Sequence, residues 1–166
     1  MDPDAWLDAN AAGFSHLDQD ERRAIQHFAL LWSLLEAKLL ATHGSQGAIH
    51  DAVERIRAVN RLHVTSLAGP LAHFRDRYWQ DGELTARFDS LNMTAKQVPT
   101  VQPVLAGHDE PAAVLTALLL IVYRLRINLF HGPKWSYGIA GQRANFENAN
   151  LVLIAAMDMY RPLMVD

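Results

Sequence analysis

The stretch PAAVLTALLLIVYRLRINLFHGP, Pro111–Pro133, decides the fold of this chain. Its apolar residues recur at helical spacing, and Pro111 suits the first position of a helix, where its missing N–H is not needed. Pro133 disfavours helical backbone in the residue before it, so the helix should end by His131–Gly132. A helix this apolar is predicted to be a buried core element.

Helical spacing of apolar residues recurs on both sides of this segment, and no stretch has a convincing strand pattern. We predict an all-α, single-domain bundle of about five helices spanning residues 1–166. Besides Pro111 to His131, the predicted helices run from Asp18 or Asp20 to His43–Gly44, from Ser45 or Gly47 to Gly69–Pro70, within Leu71–Leu91 with an interruption near Asp81–Gly82, and from about Gln142 to Tyr160.

Inward-facing residues follow from the same spacing. In the second helix the apolar stripe includes Leu67 and carries Asn60 and His63, and in the last helix it includes Leu151 and Ile154. Residues 1–17 have mixed periodicity and are expected to form a loose arm with a short helix. Residues 92–111 contain three prolines and a glycine without a sustained period, which predicts a long loop before the helix that starts at Pro111.

Bulk composition indicates a soluble globular protein. Of 166 residues, 50% are hydrophobic and 20% are charged, and the chain has no cysteine, which excludes disulfides and thiolate metal sites. The acidic N-terminus does not have the basic start and apolar run of a signal peptide. The longest apolar run, Ala112–Tyr123, is shorter than the roughly 20 residues that a membrane span needs. These features favour a cytoplasmic protein without a membrane partner.

Charge is distributed unevenly along the chain. Between Pro111 and Phe146 there is no acidic residue, and Arg124, Arg126, Lys134 and Arg143 give this segment a charge of +4. The formal net charge of the whole chain is −3, so the remaining residues carry −7. A local positive field in an acidic protein points to an anionic ligand, with phosphate the leading candidate.

An arginine and a histidine close together would suit phosphodiester chemistry. Arginine binds phosphate through two parallel hydrogen bonds, and histidine moves protons near neutral pH. On a continuous helix Arg124 shares a face with His131, whereas Arg126 reaches His131 only if the helix ends near Phe130. The sequence leaves open which arginine lies beside the histidine. One histidine cannot be base and acid in the same step, so a second subunit would supply the other.

The segment Arg126-Ile-Asn-Leu-Phe-His131-Gly resembles the motif of HEPN domains (higher eukaryotes and prokaryotes nucleotide-binding), in which an arginine is followed by four to six residues and a histidine. The resemblance extends to the FALLWSLLEAK stretch, residues 28–38, and to Arg143. It implies a helical bundle, usually dimeric, in which the motifs of two subunits meet in a cleft. Arg126 and His131 would be catalytic, and Arg124 matches the six-residue spacing. The family commonly has a polar residue after the arginine, where this chain has Ile127, so Asn128 would take over part of that role.

Many members of this family are metal-independent endoribonucleases of toxin–antitoxin and phage-defence systems, while others only bind nucleotides or act as scaffolds. The resemblance therefore implies RNA or a nucleotide as ligand, a homodimer, an antitoxin or other defence-system partner, and no cofactor. No histidine pair has metal-ligand spacing, so no metal site is predicted. A non-catalytic binding module and a structural dimerisation or immunity partner remain alternatives.

Two further sets of residues are candidates for supporting roles. Glu36 follows an apolar stripe and, if it points inward, needs a cationic partner such as Arg126 or Arg124. Aromatic and basic residues just past the motif are candidates for holding single-stranded RNA by stacking and charge. Packing against the bundle or a second subunit is the alternative for the aromatic ones. This set comprises Lys134, Trp135, Tyr137 and Arg143.

Overall fold

The computed structural model describes residues 2–131 and 139–161, and these form eight α-helices and one small hairpin. The helices are α1 (Pro3–Asn10), α2 (Gln19–Leu39), α3 (Gln46–Ala58), α4 (Ala68–Tyr78), α5 (Ala86–Asp89), α6 (Val98–Leu105), α7 (Pro111–Phe130) and α8 (Arg143–Tyr160). The hairpin pairs β1 (Trp79–Gln80) with β2 (Glu83–Leu84), and single 3-10 turns occur at Phe14–His16 and Thr65–Leu67. The predicted all-α fold class is confirmed, and α2, α3, α4, α7 and α8 correspond to the five expected helices.

Helix α7 is the centre of the core. Every residue from 114 to 122 is buried, so this part of the helix is covered on all sides. The Glu110 carboxylate caps its start by accepting hydrogen bonds from two backbone N–H groups of the first turn, at 3.1 and 2.7 Å. The 20-residue helix is long and apolar enough to cross a membrane by length and composition. Because 67% of its most apolar stretch is buried inside the protein, we interpret it as the core helix of a soluble protein.

Helices α2 and α8 lie side by side and run in the same direction. Near their first turns, the backbone N–H of Gln142 donates to the Glu21 carboxylate at 2.6 Å. Farther along, the Phe28 and Phe146 rings pack with their centroids 5.1 Å apart. The pair begins where Asp18 caps α2 through the backbone N–H of Glu21, so Asp18 and not Asp20 is the N-cap.

The segment 92–111 is not the long loop that its prolines predicted, because it contains α6. Pro99 lies in the first turn, where its missing N–H does not matter. Pro103 falls inside the helix, but Val101, Val104 and Leu105 are buried against the core. Burying three apolar side chains, each worth roughly 1.5–3 kcal/mol, outweighs the loss of one helical hydrogen bond.

The second predicted helix is also shorter than expected. It ends at Ala58, and Asn60 has a φ of 55°, a left-handed conformation that stops the helix. Leu67 is buried from a separate 3-10 turn, and Pro70 lies in the first turn of α4, where it does not break the helix.

Two residues predicted to face inward from the last helix lie on the surface instead. Leu151 is 50% exposed and Ile154 is 42% exposed. They share the outer face of the α2–α8 pair with Leu30 and Leu34 of α2, which are 71% and 48% exposed. These four residues form the exposed apolar face.

The N-terminal arm packs on the core through Phe14 and Leu17, whereas α1 itself is held by contacts with Arg22. Helix α1 buries no residue. Arg22 of α2 contacts the carboxylates of Asp8 and Asp4 at 2.9 and 3.5 Å, and its guanidinium lies 4.2 Å from the centroid of the Phe14 ring. Between the arm, α2 and the end of α7 lies an apolar cavity of about 380 Å³ that Phe130 also lines.

Candidate functional site

The end of α7 brings Arg126 and His131 together. The helix stops at Phe130, and His131 is its C-cap, with φ −106° and ψ 19° and its backbone N–H bonded to the Ile127 carbonyl at 2.9 Å. This turn moves the imidazole out of helical register, and its Nε2 lies 3.3 Å from Nη1 of Arg126. Of the two arginines that the sequence left open, Arg126 is the one beside the histidine.

The contact between the two side chains suits one tautomer of the imidazole. A guanidinium can only donate, so the contact is a hydrogen bond when Nε2 of His131 carries no proton and can accept. In that tautomer the ring N–H is on Nδ1, and Nε2 is the atom that can take up a proton. Both groups lie at the surface, where a ligand can reach them.

Glu36 connects the motif to α2 and to the loop that follows it. Its Oε2 accepts from the indole N–H of Trp32 at 3.3 Å and lies 4.0 Å from Nη2 of Arg126. Its Oε1 accepts from the backbone N–H of Gly44 at 2.8 Å. Glu36 therefore lies near a motif arginine, as predicted. The indole N–H of Trp32 and the backbone N–H of Gly44 hold its carboxylate in place independently of Arg126.

Gly44 is part of this arrangement because only a residue without a side chain fits there. A Cβ at this position would lie 2.6 Å from Oε1 of Glu36 and 3.0 Å from the Trp32 ring. The loop can thus approach α2 closely enough for its N–H to reach the carboxylate. The sequence alone predicts Gly44 only as the point where a helix ends.

The Arg126 guanidinium retains donors for a ligand. Its Cζ lies 5.6 Å from the centroid of the Phe130 ring and 6.0 Å from that of Trp32, so aromatic rings border it. Its Nε is buried and has no hydrogen-bond partner among the described residues. The ion pair with Glu36, at 4.0 Å, is too long for a good hydrogen bond, so Nη2 of Arg126 has no hydrogen-bond partner among the described residues.

Arg124 and Asn128 face the other side of α7. Nε of Arg124 donates to the Leu91 carbonyl at 2.9 Å, and the buried Asn128 amide donates to the Ser90 carbonyl at 3.0 Å. Desolvation by burial lowers the pKa of Arg124. Asn128 therefore anchors α7 to the end of α5, and neither residue lies beside His131 as a supporting group.

Arg143 is distant from the motif within one chain. It pairs with Asp20 at 3.1 Å and with Glu147 at 2.7 Å, and its hydrogen bond to Glu147 raises the pKa of the guanidinium. Asp20 and Glu36 are 16 residues apart on α2, about 24 Å at the helical rise. The other residues predicted to hold RNA, Lys134, Trp135 and Tyr137, lie outside the described residues.

Several residues that surround the motif are not predicted from the sequence. Trp32 precedes Glu36 by one helical turn, so the spacing of four could have identified it as a partner. Tyr123 stacks on the Trp32 ring with centroids 5.8 Å apart, a contact between distant segments that no local pattern signals. In residues 2–131 and 139–161, no three His, Asp or Glu side chains form a group that could hold a metal ion.

Comparisons with known proteins add no relatives to this description. No protein-family model matches the chain, and neither the curated proteins nor the solved structures contain a match.

Proposed function

We propose that this protein is a metal-independent endoribonuclease of the HEPN type. The observation that carries the proposal is the 3.3 Å contact between Nη1 of Arg126 and Nε2 of His131, on a guanidinium whose Nη2 donors have no hydrogen-bond partner among the described residues. A phosphate could take up those donors, and the imidazole could accept a proton next to it. The motif resemblance supports the same chemistry.

The reaction would be a transesterification within the RNA strand. Phosphate binding draws Arg126 away from Nε2 of His131, which then takes the proton of the ribose 2′-hydroxyl. The 2′-oxygen bonds to phosphorus, the bond from phosphorus to the 5′-oxygen breaks, and Arg126 stabilises the added negative charge. The products are a 2′,3′-cyclic phosphate and a 5′-hydroxyl end, whose oxygen must receive a proton.

A second copy of the chain would supply that proton from its own His131, which must be in the protonated imidazolium form to act as the acid. The exposed apolar face, formed by Leu30, Leu34, Leu151 and Ile154, supports a homodimer because large apolar patches on soluble proteins often mark interfaces. A toxin or phage-defence role, an antitoxin partner and a cytoplasmic location belong to the proposal through the resemblance.

The test is cleavage of several RNAs in EDTA by the wild type, by His131→Ala and by Arg126→Gln. We expect cyclic phosphate ends with the wild type alone. The His131 side chain is exposed, so His131→Ala should have the same free energy of unfolding as the wild type. If His131→Ala retained cleavage, the proposal that His131 is the general base would be refuted.

The dimer is tested separately with Leu30→Arg, which places charge on the exposed apolar face. We expect a monomer by light scattering and loss of cleavage. A monomeric variant that cleaves as fast as the wild type would refute the two-subunit site.

A non-catalytic RNA- or nucleotide-binding module is the second candidate. One observation favours it: Asn128, the only polar side chain between Arg126 and His131, is buried toward Ser90 and cannot help position a reacting group. Under this alternative, RNA binding weakens on Arg126→Gln, but the wild type produces no cyclic phosphate ends.

A further inference from the structure

A cationic cavity, separate from the apolar one beside Phe130, lies on the opposite side of α7 from the motif. Its volume is about 550 Å³, and it is bordered by the start of α3, the segment before α6, and α7. Lys96 and Arg124 line it together with neutral polar side chains such as Gln46 and Gln97, and none of its lining residues is acidic. In a protein with a net charge of −3, two cations around one cavity without a carboxylate indicate a site for an anion.

Among the described residues, three partly buried arginines have a carboxylate counter-charge, whereas Arg124 and Arg77 do not. Arg22, Arg75 and Arg126 each lie within 4.0 Å of a carboxylate. Among the described residues Arg124 forms no such pair, and its Nε bonds only to the Leu91 carbonyl. A guanidinium that has lost part of its hydration gains most from an anion that restores the missing charge and hydrogen bonds.

The cavity and the motif flank the same pair of aromatic rings. Tyr123 lines the cavity, and its ring stacks on Trp32 with centroids 5.8 Å apart and an angle of 28° between planes. The Trp32 ring in turn lies 6.0 Å from Cζ of Arg126. Arg126 thus lies at the Trp32 end of one aromatic stack and the cavity at its Tyr123 end, so both cationic sites border the same pair of rings.

We propose that the cavity formed by Lys96 and Arg124 binds a second phosphate of the RNA strand whose scissile phosphate is held by Arg126. The inference rests on the proposed function, because it takes RNA as the ligand. Lys96 and Arg124 are binding residues here and do not take part in bond breaking. Each phosphate contact releases condensed counterions, so the site should contribute to the salt dependence of RNA binding.

The test uses a single-stranded 2′-O-methyl RNA oligonucleotide of mixed sequence, which cannot be cleaved because it has no 2′-hydroxyl. Its affinity for the full-length protein is measured from about 50 to 200 mM salt for the wild type and for Lys96→Gln. We expect the slope of log affinity against log salt to fall in magnitude by about 0.7, the value for one phosphate contact on a single strand. Lys38→Gln, an exposed lysine of α2 outside this cavity, is the matched control and should leave the slope unchanged.

Arg124→Gln should reduce the slope by a similar amount, but it removes a hydrogen bond to the Leu91 carbonyl and is used only if its melting curve matches that of the wild type. Lys96 is exposed, so its variant keeps the test valid if Arg124→Gln fails to fold. An unchanged slope in Lys96→Gln, or no RNA binding by the wild type, would overturn the inference. Cleavage assays test the proposed function separately. If the wild type cleaves RNA but Lys96→Gln leaves the salt slope unchanged, only this inference is refuted. If Lys96→Gln reduces the salt slope but the wild type does not cleave, only the catalytic proposal is refuted.

Discussion

Replacing Glu36 by glutamine should destabilise the protein through the hydrogen bonds that fix its carboxylate. The two oxygens accept from Gly44 N–H at 2.8 Å and from the Trp32 indole at 3.3 Å. Glutamine has one oxygen and one NH₂ group, so it can accept from only one of these donors in either orientation. The other donor, and Nη2 of Arg126 at 4.0 Å, would then face an amide that also donates.

The size of the effect follows from these contacts. Leaving one partly buried N–H without an acceptor costs about 1 kcal/mol or slightly more, and replacing the remaining charged acceptor by a neutral one costs about 1 kcal/mol. The ion pair with Arg126 adds little, because its nearest atoms are 4.0 Å apart. We therefore expect Glu36→Gln to lower the free energy of unfolding by about 2 kcal/mol, or the Tm by about 4–8 °C.

Urea unfolding of the wild type and Glu36→Gln measures the difference directly. Glu54→Gln is the control, because Glu54 forms a shorter ion pair with Arg57, at 2.8 Å, but both side chains are more than half exposed. We expect the control to lose less than about 0.5 kcal/mol. If the two variants lost equal stability, or Glu36→Gln lost none, the reasoning from burial and backbone anchoring would be refuted.

Three further perturbations test other parts of the structure. Burial raises the pKa of Tyr78 above its ordinary value of 10.0, so the folded protein holds this proton more tightly than the unfolded chain does. The free energy of unfolding should therefore fall as pH rises beyond about 10, and Tyr78→Phe should make this fall smaller. Two backbone N–H donors lower the pKa of Glu110 below its ordinary value of 4.5, so the stabilisation that its carboxylate provides should be present above pH 4.5 and be lost on acidification. Glu110→Ala should lower the free energy of unfolding by about 0.5–1 kcal/mol at pH 7 and should not show this loss in acid. Urea titrations at pH 7 and in acid below the pKa measure both effects. Asn128→Ala should cost about 1–3 kcal/mol in chemical unfolding, and a neutral result would place its amide elsewhere than on Ser90.

Local chemistry made the main helices predictable from the sequence. Asp18 and Ser45 each cap a helix by accepting from a backbone N–H three residues later. Pro111 marks the start of α7, and the apolar run that follows it indicates how far the helix extends. These features act within one or two turns, so a single sequence contains the information.

The errors have two sources. Helix α6 forms despite its prolines because the core, which is distant in the sequence, buries its apolar face. Helix α3 ends for a local reason, because Asn60 adopts the left-handed conformation that asparagine tolerates after a helix. In the site, the contact between Arg126 and His131 depends on whether α7 ends at Phe130 or one residue later. The hydrogen bond from Gly44 to Glu36 requires the chain to return to α2, and no spacing rule predicts that return.

The attachment of the N-terminal arm gives the molecule an uneven distribution of local stability. Because α1 buries nothing and is held largely through Arg22, its amide hydrogens should exchange by a local opening that costs far less than global unfolding. The amides of α7 should exchange only when the whole domain unfolds. Salt screens the contacts of Arg22 with Asp4 and Asp8, so the opening should become more frequent as ionic strength rises. The cavity beside Phe130 would then open to solvent on one side while the Arg126–His131 pair kept its geometry.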